Sequence, residues 1–175
     1  PGLLWAEIKD PQASVELLLG EIRQIKSGEA GKHSQLALSM LNVAEISKKA
    51  LGKHWAKRSV PEQEKFQTLL GELFVYVAFP SSAKFFAELE LVYGKTEEKK
   101  NKVVVPLIVV HEKEGEVGID FHLIRTADKW QVVDVVLDGA SMRNNLRNKF
   151  YKTITKKGFD ALILTMKKKL EAKKS

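Results

Sequence analysis

Three residues in the second half of the chain are of the types that move protons: Asp120 and His122, and, further on, Asp134. A carboxylate paired with an imidazole in a water-poor cavity suits general acid–base work near neutral pH. Their setting argues against it. Val117, Ile119, Phe121 and Leu123 alternate with Gly118, Asp120, His122 and Ile124. Successive side chains of a strand point to opposite faces, so Asp120 and His122 turn away from the Ile119/Phe121 side. They are expected to make surface hydrogen bonds, and Asp134 to cap or pair inside the fold. The histidines at 33, 54, 111 and 122 form no HxH, HxxxH or HExxH spacing, and the chain has no cysteine. Neither a metal site nor a disulfide framework is therefore expected. GxSxG, GxGxxG and GxxxxGK[ST] are absent, and Gly28-Glu-Ala-Gly-Lys-His-Ser34 has the wrong spacing for a phosphate loop. The chain reads as a protein that is not an enzyme and needs no cofactor.

Charge is the second chemical signal. The net +7 is uneven: Met142 to Ser175 holds eleven Lys/Arg against Asp160 and Glu171, leaving the rest slightly acidic. Such a segment meets the phosphates of nucleic acid or of anionic lipid, or is simply a solvated helix face. Base-stacking platforms need exposed aromatics among the basic residues. Here only Phe150, Tyr151 and Phe159 interleave, and Phe150 shares the apolar side of Leu146. No nucleic-acid partner is expected, although a basic nucleic-acid-binding module and an enzyme with an apolar cavity stay as rival readings.

The elements that position these residues follow from periodicity. At 175 residues, 44% hydrophobic and 29% charged, the chain has the size and balance of one globular domain. It reads as a single domain over 1–175, with an N-terminal extension at 1–9 and a frayed basic tail at 171–175. No run approaches a membrane span, and no secretory signal is visible. Asp10-Pro11 reads as an N-cap and first helical residue, followed by Val15, Leu18, Leu19, Ile22 and Ile25 at helical spacing, with Gly28 as the stop. A second helix carries Leu38, Leu41, Val43, Ile46 and Ala50. Ser59-Val-Pro-Glu62 has capping-box spacing, and behind it Phe66, Leu69, Leu70, Leu73, Phe74 and Val77 form a wide stripe that Pro80 is expected to break or kink.

Strands follow at 103–111, 117–124 and 130–137, then two helices from Ser141 and from about Asp160, separated by Gly158. The first strand, Val-Val-Val-Pro-Leu-Ile-Val-Val, is apolar on both parities. That implies two covering layers: helices on both sides, or a helix standing off to leave an internal hollow. The fold class is α+β, a curved antiparallel sheet wrapped by N- and C-terminal helices.

Two separated segments carry a family resemblance. One holds Leu51, Gly52, Trp55, Pro61, Glu62, Gln63 and Phe66; the other holds Trp130, Asp134, Asp138-Gly139, Ser141, Asn145, Arg147, Phe150, Gly158 and Asp160. In order and spacing, over roughly residues 10 to 170, the chain resembles the MlaC / toluene-tolerance (Ttg2-type) family of periplasmic phospholipid carriers. Phe79, Leu146 and Phe121 stand where that pattern commonly has tyrosine, changes that remove hydroxyls and add apolar surface.

The resemblance implies an apolar lipid pocket between sheet and helices. It implies a periplasmic shuttle, its signal peptide removed, that carries phospholipid for a Mla-type ABC transport system maintaining outer-membrane asymmetry. The implied partners are phospholipid, the inner-membrane MCE-domain protein of that transporter and an outer-membrane lipoprotein complex. A hopanoid- or sterol-associated carrier of the same family is the alternative. The expected wall comprises Val103, Val105, Leu107 and Val109; Val117, Ile119, Phe121 and Leu123; and Val133, Val135 and Leu137. Phe66, Leu70, Phe74 and Val77 are expected opposite, Leu146 and Phe150 as a movable side, Ala140 at the rim, and Arg143 and Arg147 near a headgroup phosphate.

Overall fold

A computed structural model describes residues 10–26 and 30–174. The expected N-terminal extension, the helix stop at Gly28 and the last tail residue, Ser175, lie outside the described residues. Helix α1 (Pro11–Arg23) begins where Asp10 accepts a hydrogen bond from the Gln12 N–H at 3.1 Å. Its Val15, Leu18, Leu19 and Ile22 are buried, the face its spacing marked.

The second expected helix is two, α2 (Lys32–Ser39) and α3 (Val43–Leu51). The sheet interrupts them: Asn42 N–H donates to the Val132 carbonyl at 2.9 Å, and Val132 N–H donates to that of Met40 at 3.0 Å. Asn42 then caps α3 by accepting from the Glu45 N–H.

The sheet is open and antiparallel, with β1 (Leu91–Tyr93), β2 (Glu97–Lys99), β3 (Lys102–His111), β4 (Gly115–Thr126), β5 (Lys129–Leu137) and β6 (Ala140–Ser141). Its order is β1-β3-β4-β5-β6, with β2 also paired to β3. Ala127 and Asp128, both at positive φ, make the two-residue turn between β4 and β5. Register aligns Leu107, Ile119 and Leu137 in one row and Val105, Phe121 and Val135 in the next. A bulge between His122 and Leu123 adds local twist. The inner face meets α1, and the core lies between the sheet and the helices.

The outer face differs from expectation. Ile108 is 44% and Val110 48% exposed, and Val92, register partner of Ile108, is also exposed. No second layer covers them among the described residues. β-Branched residues fit a pleated strand whether or not it is roofed, so two-sided apolarity did not report two-sided burial.

Helices α6 (Met142–Lys157) and α7 (Phe159–Lys174) close the fold. Residues 171–174, part of the tail expected to fray, continue α7. Lys174 Nζ pairs with Glu72 Oε2 at 2.9 Å and sits over the Tyr76 ring, which holds the last turn.

Candidate functional site

The site is organised by one continuous helical run, Val60–Phe86. Ser59 and Glu62 start it with the reciprocal capping box: Ser59 N–H donates to Glu62 Oε2 at 2.8 Å, and Glu62 N–H to Ser59 Oγ at 3.3 Å. By length and composition this run could cross a membrane. It carries Glu62, Glu64, Lys65 and Glu72, however, and buries Phe66, Leu69 and Leu70 in the protein's own core. Pro80 neither ends nor breaks it. The chain passes from α4 (Val60–Leu73) through a π-helical stretch, Phe74–Ala78, into α5 (Phe79–Phe86). A proline presses its ring toward the carbonyl four residues back and donates no hydrogen bond. Widening the preceding turn absorbs both effects. The Phe79 N–H donates to the Phe74 carbonyl, five residues back. That spacing also stacks the two rings, with centroids 6.2 Å apart and planes 29° apart.

Two apolar hollows flank this stretch. The first, about 440 Å³, lies between the inner sheet face, α1 and α5. Leu18, Leu19, Ile22 and Leu41 line one side, Phe74, Ala78, Phe79, Phe85 and Phe86 another, and Ile119, Phe121, Val135, Leu137 and Met142 a third. Among the described residues, Ser81 and Ser82 are its only polar lining residues. Leu137, 42% exposed, stands at its open side.

The second hollow, about 310 Å³, lies between the central helix, α6 and α7. Leu70, Leu73, Val77, Leu146, Phe150, Leu162 and Met166 line it, together with Lys149, Thr153, Thr165 and Lys169. Phe74, Ala78 and Met142 border both spaces and form the partition. Both volumes are in the range of ligand sites. A third depression, about 510 Å³, is larger, but Gln35, Gln67, Thr68, Glu72 and Lys174 line it among apolar neighbours. The Lys174–Glu72 pair spans it, so it suits water better than hydrocarbon.

Of the expected wall, Leu70, Phe74, Val77, Ile119, Phe121, Val135, Leu137, Leu146 and Phe150 border one or both hollows. Phe66, Val103, Val105, Leu107, Val109, Val117, Leu123 and Val133 are buried but border neither, and Ala140 is exposed at the β5–β6 turn. Arg147 Nε donates to the Lys49 carbonyl at 2.9 Å, tying α6 to α3. Arg143 Nε is buried without a hydrogen-bond partner. Neither arginine borders a hollow. Sequence reasoning placed none of α1, Ala78, Phe79, Phe85, Phe86 and Met142 at a pocket; the usable signal was Phe74 and Phe79 five apart just before Pro80.

His122 and Asp134 are register partners, but Asp134 is fully engaged elsewhere. Its Oδ1 accepts from the Val135 and Arg143 N–H groups at 2.9 and 3.0 Å, and its Oδ2 from the Ser141 hydroxyl at 2.6 Å. Ser141 Oγ in turn accepts from the Asn144 N–H. The aspartate thus builds the start of α6. Asp120, His122 and Asp134 line neither hollow, and no group of three or more acidic, histidine or cysteine residues is placed to hold a metal among the described residues.

Gly52 is explained by packing. At φ +49° it faces Tyr151, whose Oη would lie 2.1 Å from an added Cβ and accepts from the Lys53 N–H at 3.0 Å. His54 stands edge-on to the same ring. Burial, then the cations Lys53, Lys57 and Arg58, hold this histidine below its usual range.

The family model described as MlaC protein matches residues 21–168. No curated protein sequence matches the chain. Among solved structures, a phospholipid-binding protein from Ralstonia solanacearum, in complex with a phospholipid, superposes with a TM-score of 0.75 at 17% identity. That alignment covers 94% of this chain and 96% of the other. At such identity it is the fold that is shared.

Proposed function

The chain belongs to the MlaC family, and from that premise we propose that it is a non-enzymatic phospholipid carrier. The observation that carries the reading is the first hollow, a space of about 440 Å³ in which only two serines interrupt an apolar lining. The phospholipid held by the structurally similar Ralstonia protein supports it. A diacyl lipid brings on the order of thirty methylenes, and at ~0.8 kcal/mol each their exposure costs upwards of ~20 kcal/mol. Release into water is therefore negligible. A carrier with such a site takes lipid from one membrane protein and delivers it to another, because only an equally apolar acceptor makes the transfer close to balanced.

In this reading the chain works in the periplasm. It shuttles between an outer-membrane lipoprotein complex and the inner-membrane MCE-domain protein of an ABC transporter, and it needs no cofactor.

The test is native mass spectrometry with organic extraction of the purified protein. Leu137→Glu introduces charge at a lining residue that already meets solvent, and Val110→Glu does so on the outer sheet face. The first is expected to lose most co-purified phospholipid, the second to keep it. Equal loads in the two variants, or no phospholipid in the wild type, would overturn the reading.

A further inference from the structure

The second hollow differs from the first in its edge. Helices α6 and α7 pack together on either side of Gly158. Lys149 and Lys169 lie ten residues before and ten after Phe159; Thr153 and Thr165 lie six before and six after. On each helix the lysine and threonine are four apart, which puts them on one face. All four border the same apolar space, above Leu146, Phe150, Leu162 and Met166. Both lysines are exposed, and neither has an ion-pair partner among the described residues. Each threonine hydroxyl donates to the carbonyl four residues back, Lys149 for Thr153 and Ala161 for Thr165, so its proton is committed and the charge at this edge comes from the two lysines.

Two unpaired ammonium groups over one mouth repel each other, an arrangement that an anion relieves. The apolar floor requires that this anion carry hydrocarbon. We propose that Lys149 and Lys169 form a selectivity clamp for the phosphodiester of an anionic phospholipid headgroup, and that the chain therefore prefers lipids with net negative charge over zwitterionic ones. Arg143 and Arg147, the expected headgroup residues, take no part. A zwitterionic headgroup presents its own ammonium to the two lysines and loses the advantage. At about fivefold for each lysine near an anionic headgroup, the bias is expected to be roughly tenfold or more and to shrink as salt rises.

The proposal rests on the carrier reading, and the experiment separates the two. Lipid-stripped full-length protein is incubated with vesicles of equimolar phosphatidylglycerol and phosphatidylethanolamine with matched acyl chains, re-isolated, and its lipid extracted and counted. The variants are Lys149→Gln/Lys169→Gln and a control of equal charge loss, Lys156→Gln/Lys168→Gln, whose lysines are exposed and border neither hollow. The expected result is a wild type and a control enriched in phosphatidylglycerol, and a clamp variant with the same total load and no enrichment. No bias in the wild type, or a bias that survives in the clamp variant, overturns the clamp while an intact load leaves the carrier reading standing. A wild type that takes up no lipid overturns both. In a separate arm, inorganic phosphate is titrated into the stripped protein. Saturable phosphate binding lost in the clamp variant, with no headgroup bias in the vesicle arm, assigns the lysines to a free anion and overturns the lipid clamp.

Discussion

On the carrier reading proposed above, Ala78 is the position at which packing and cargo would compete most directly. It lies in the π-helical stretch and borders both hollows. Ala78→Phe would push a ring into a space of about 440 or about 310 Å³. Burying a phenylalanine side chain is worth ~1.5–3 kcal/mol, and the poorer helix propensity gives back roughly 0.5 kcal/mol. A net gain of about 1–2 kcal/mol raises the midpoint of a chain this size by roughly 3–6 °C. The same ring would occupy the partition past which, on the carrier reading, an acyl chain would lie. Lipid-stripped Ala78→Phe is therefore expected to melt higher than stripped wild type in calorimetry, and to take up several-fold less phospholipid from vesicles by extraction. Opposite signs in the two assays are the signature. A lower midpoint would mean that the space is already filled by the protein's own side chains. A higher midpoint with undiminished uptake would mean that it is a packing defect and that lipid sits elsewhere.

Four other outcomes follow from named contacts. Gly52→Ala strains a positive φ and drives a Cβ into Tyr151 Oη; it should cost about 2–4 kcal/mol in urea unfolding, part of it recovered in a Tyr151→Phe background, and an additive pair would refute the contact. Asp134→Asn removes charge from a buried acceptor of three hydrogen bonds; about 1–3 kcal/mol of stability should go with lipid load unchanged, and a lost load would tie it to the site. His54 is held below its ordinary value of 6.5, so its contribution is fully present above that pH and is lost as pH falls through the folded-state pKa, because only the unfolded chain takes the proton readily. The urea midpoint should drop from pH 7.5 to pH 5, less so in His54→Gln, and equal slopes would refute it. Stripping lipid from the wild type should lower the midpoint and speed amide exchange in 74–86 and 142–157, the segments around the partition; unchanged exchange there would count against an occupied hollow.

What was legible in the sequence was legible because local rules were obeyed. Ser59 and Glu62 cap as their spacing requires, and Asp10-Pro11 starts α1. β4 alternates as read, burying Val117, Ile119, Phe121 and Leu123. Long-range competition defeated the rest. The second helix splits because β5 recruits the backbone of Met40 and Asn42, a pairing that leaves no mark on residues 38–46. Pro80 is expected to break or kink its helix, but the rule assumes an α-helical turn before it, and the chain supplies a π-helical one. The apolar outer parity of β3 reported strand preference rather than burial. For the site, a residue that lines a hollow and one that fills a core have the same composition. Val105 and Ile119 are alike in the sequence, and only the distance between layers separates them.

That distance has a physical source. Apolar cavities left in a core cost about 24 cal/mol per Å³, so a closed, empty hollow of about 440 Å³ would cost on the order of 10 kcal/mol, comparable to the whole stability of an ordinary domain. A chain under selection for packing alone would close such a space, and small changes would suffice: Ala78 and Met142 stand at the partition with room for larger side chains beside them. Instead the π-helical stretch places Phe74 and Phe79 stacked on each other at the edge of that space. The proline that requires the wider turn lies immediately beyond it. The feature that reads worst as helix design thus lies where the two hollows meet. On the carrier reading proposed above, a hydrocarbon ligand entering the hollow would restore the contacts that the side chains forgo.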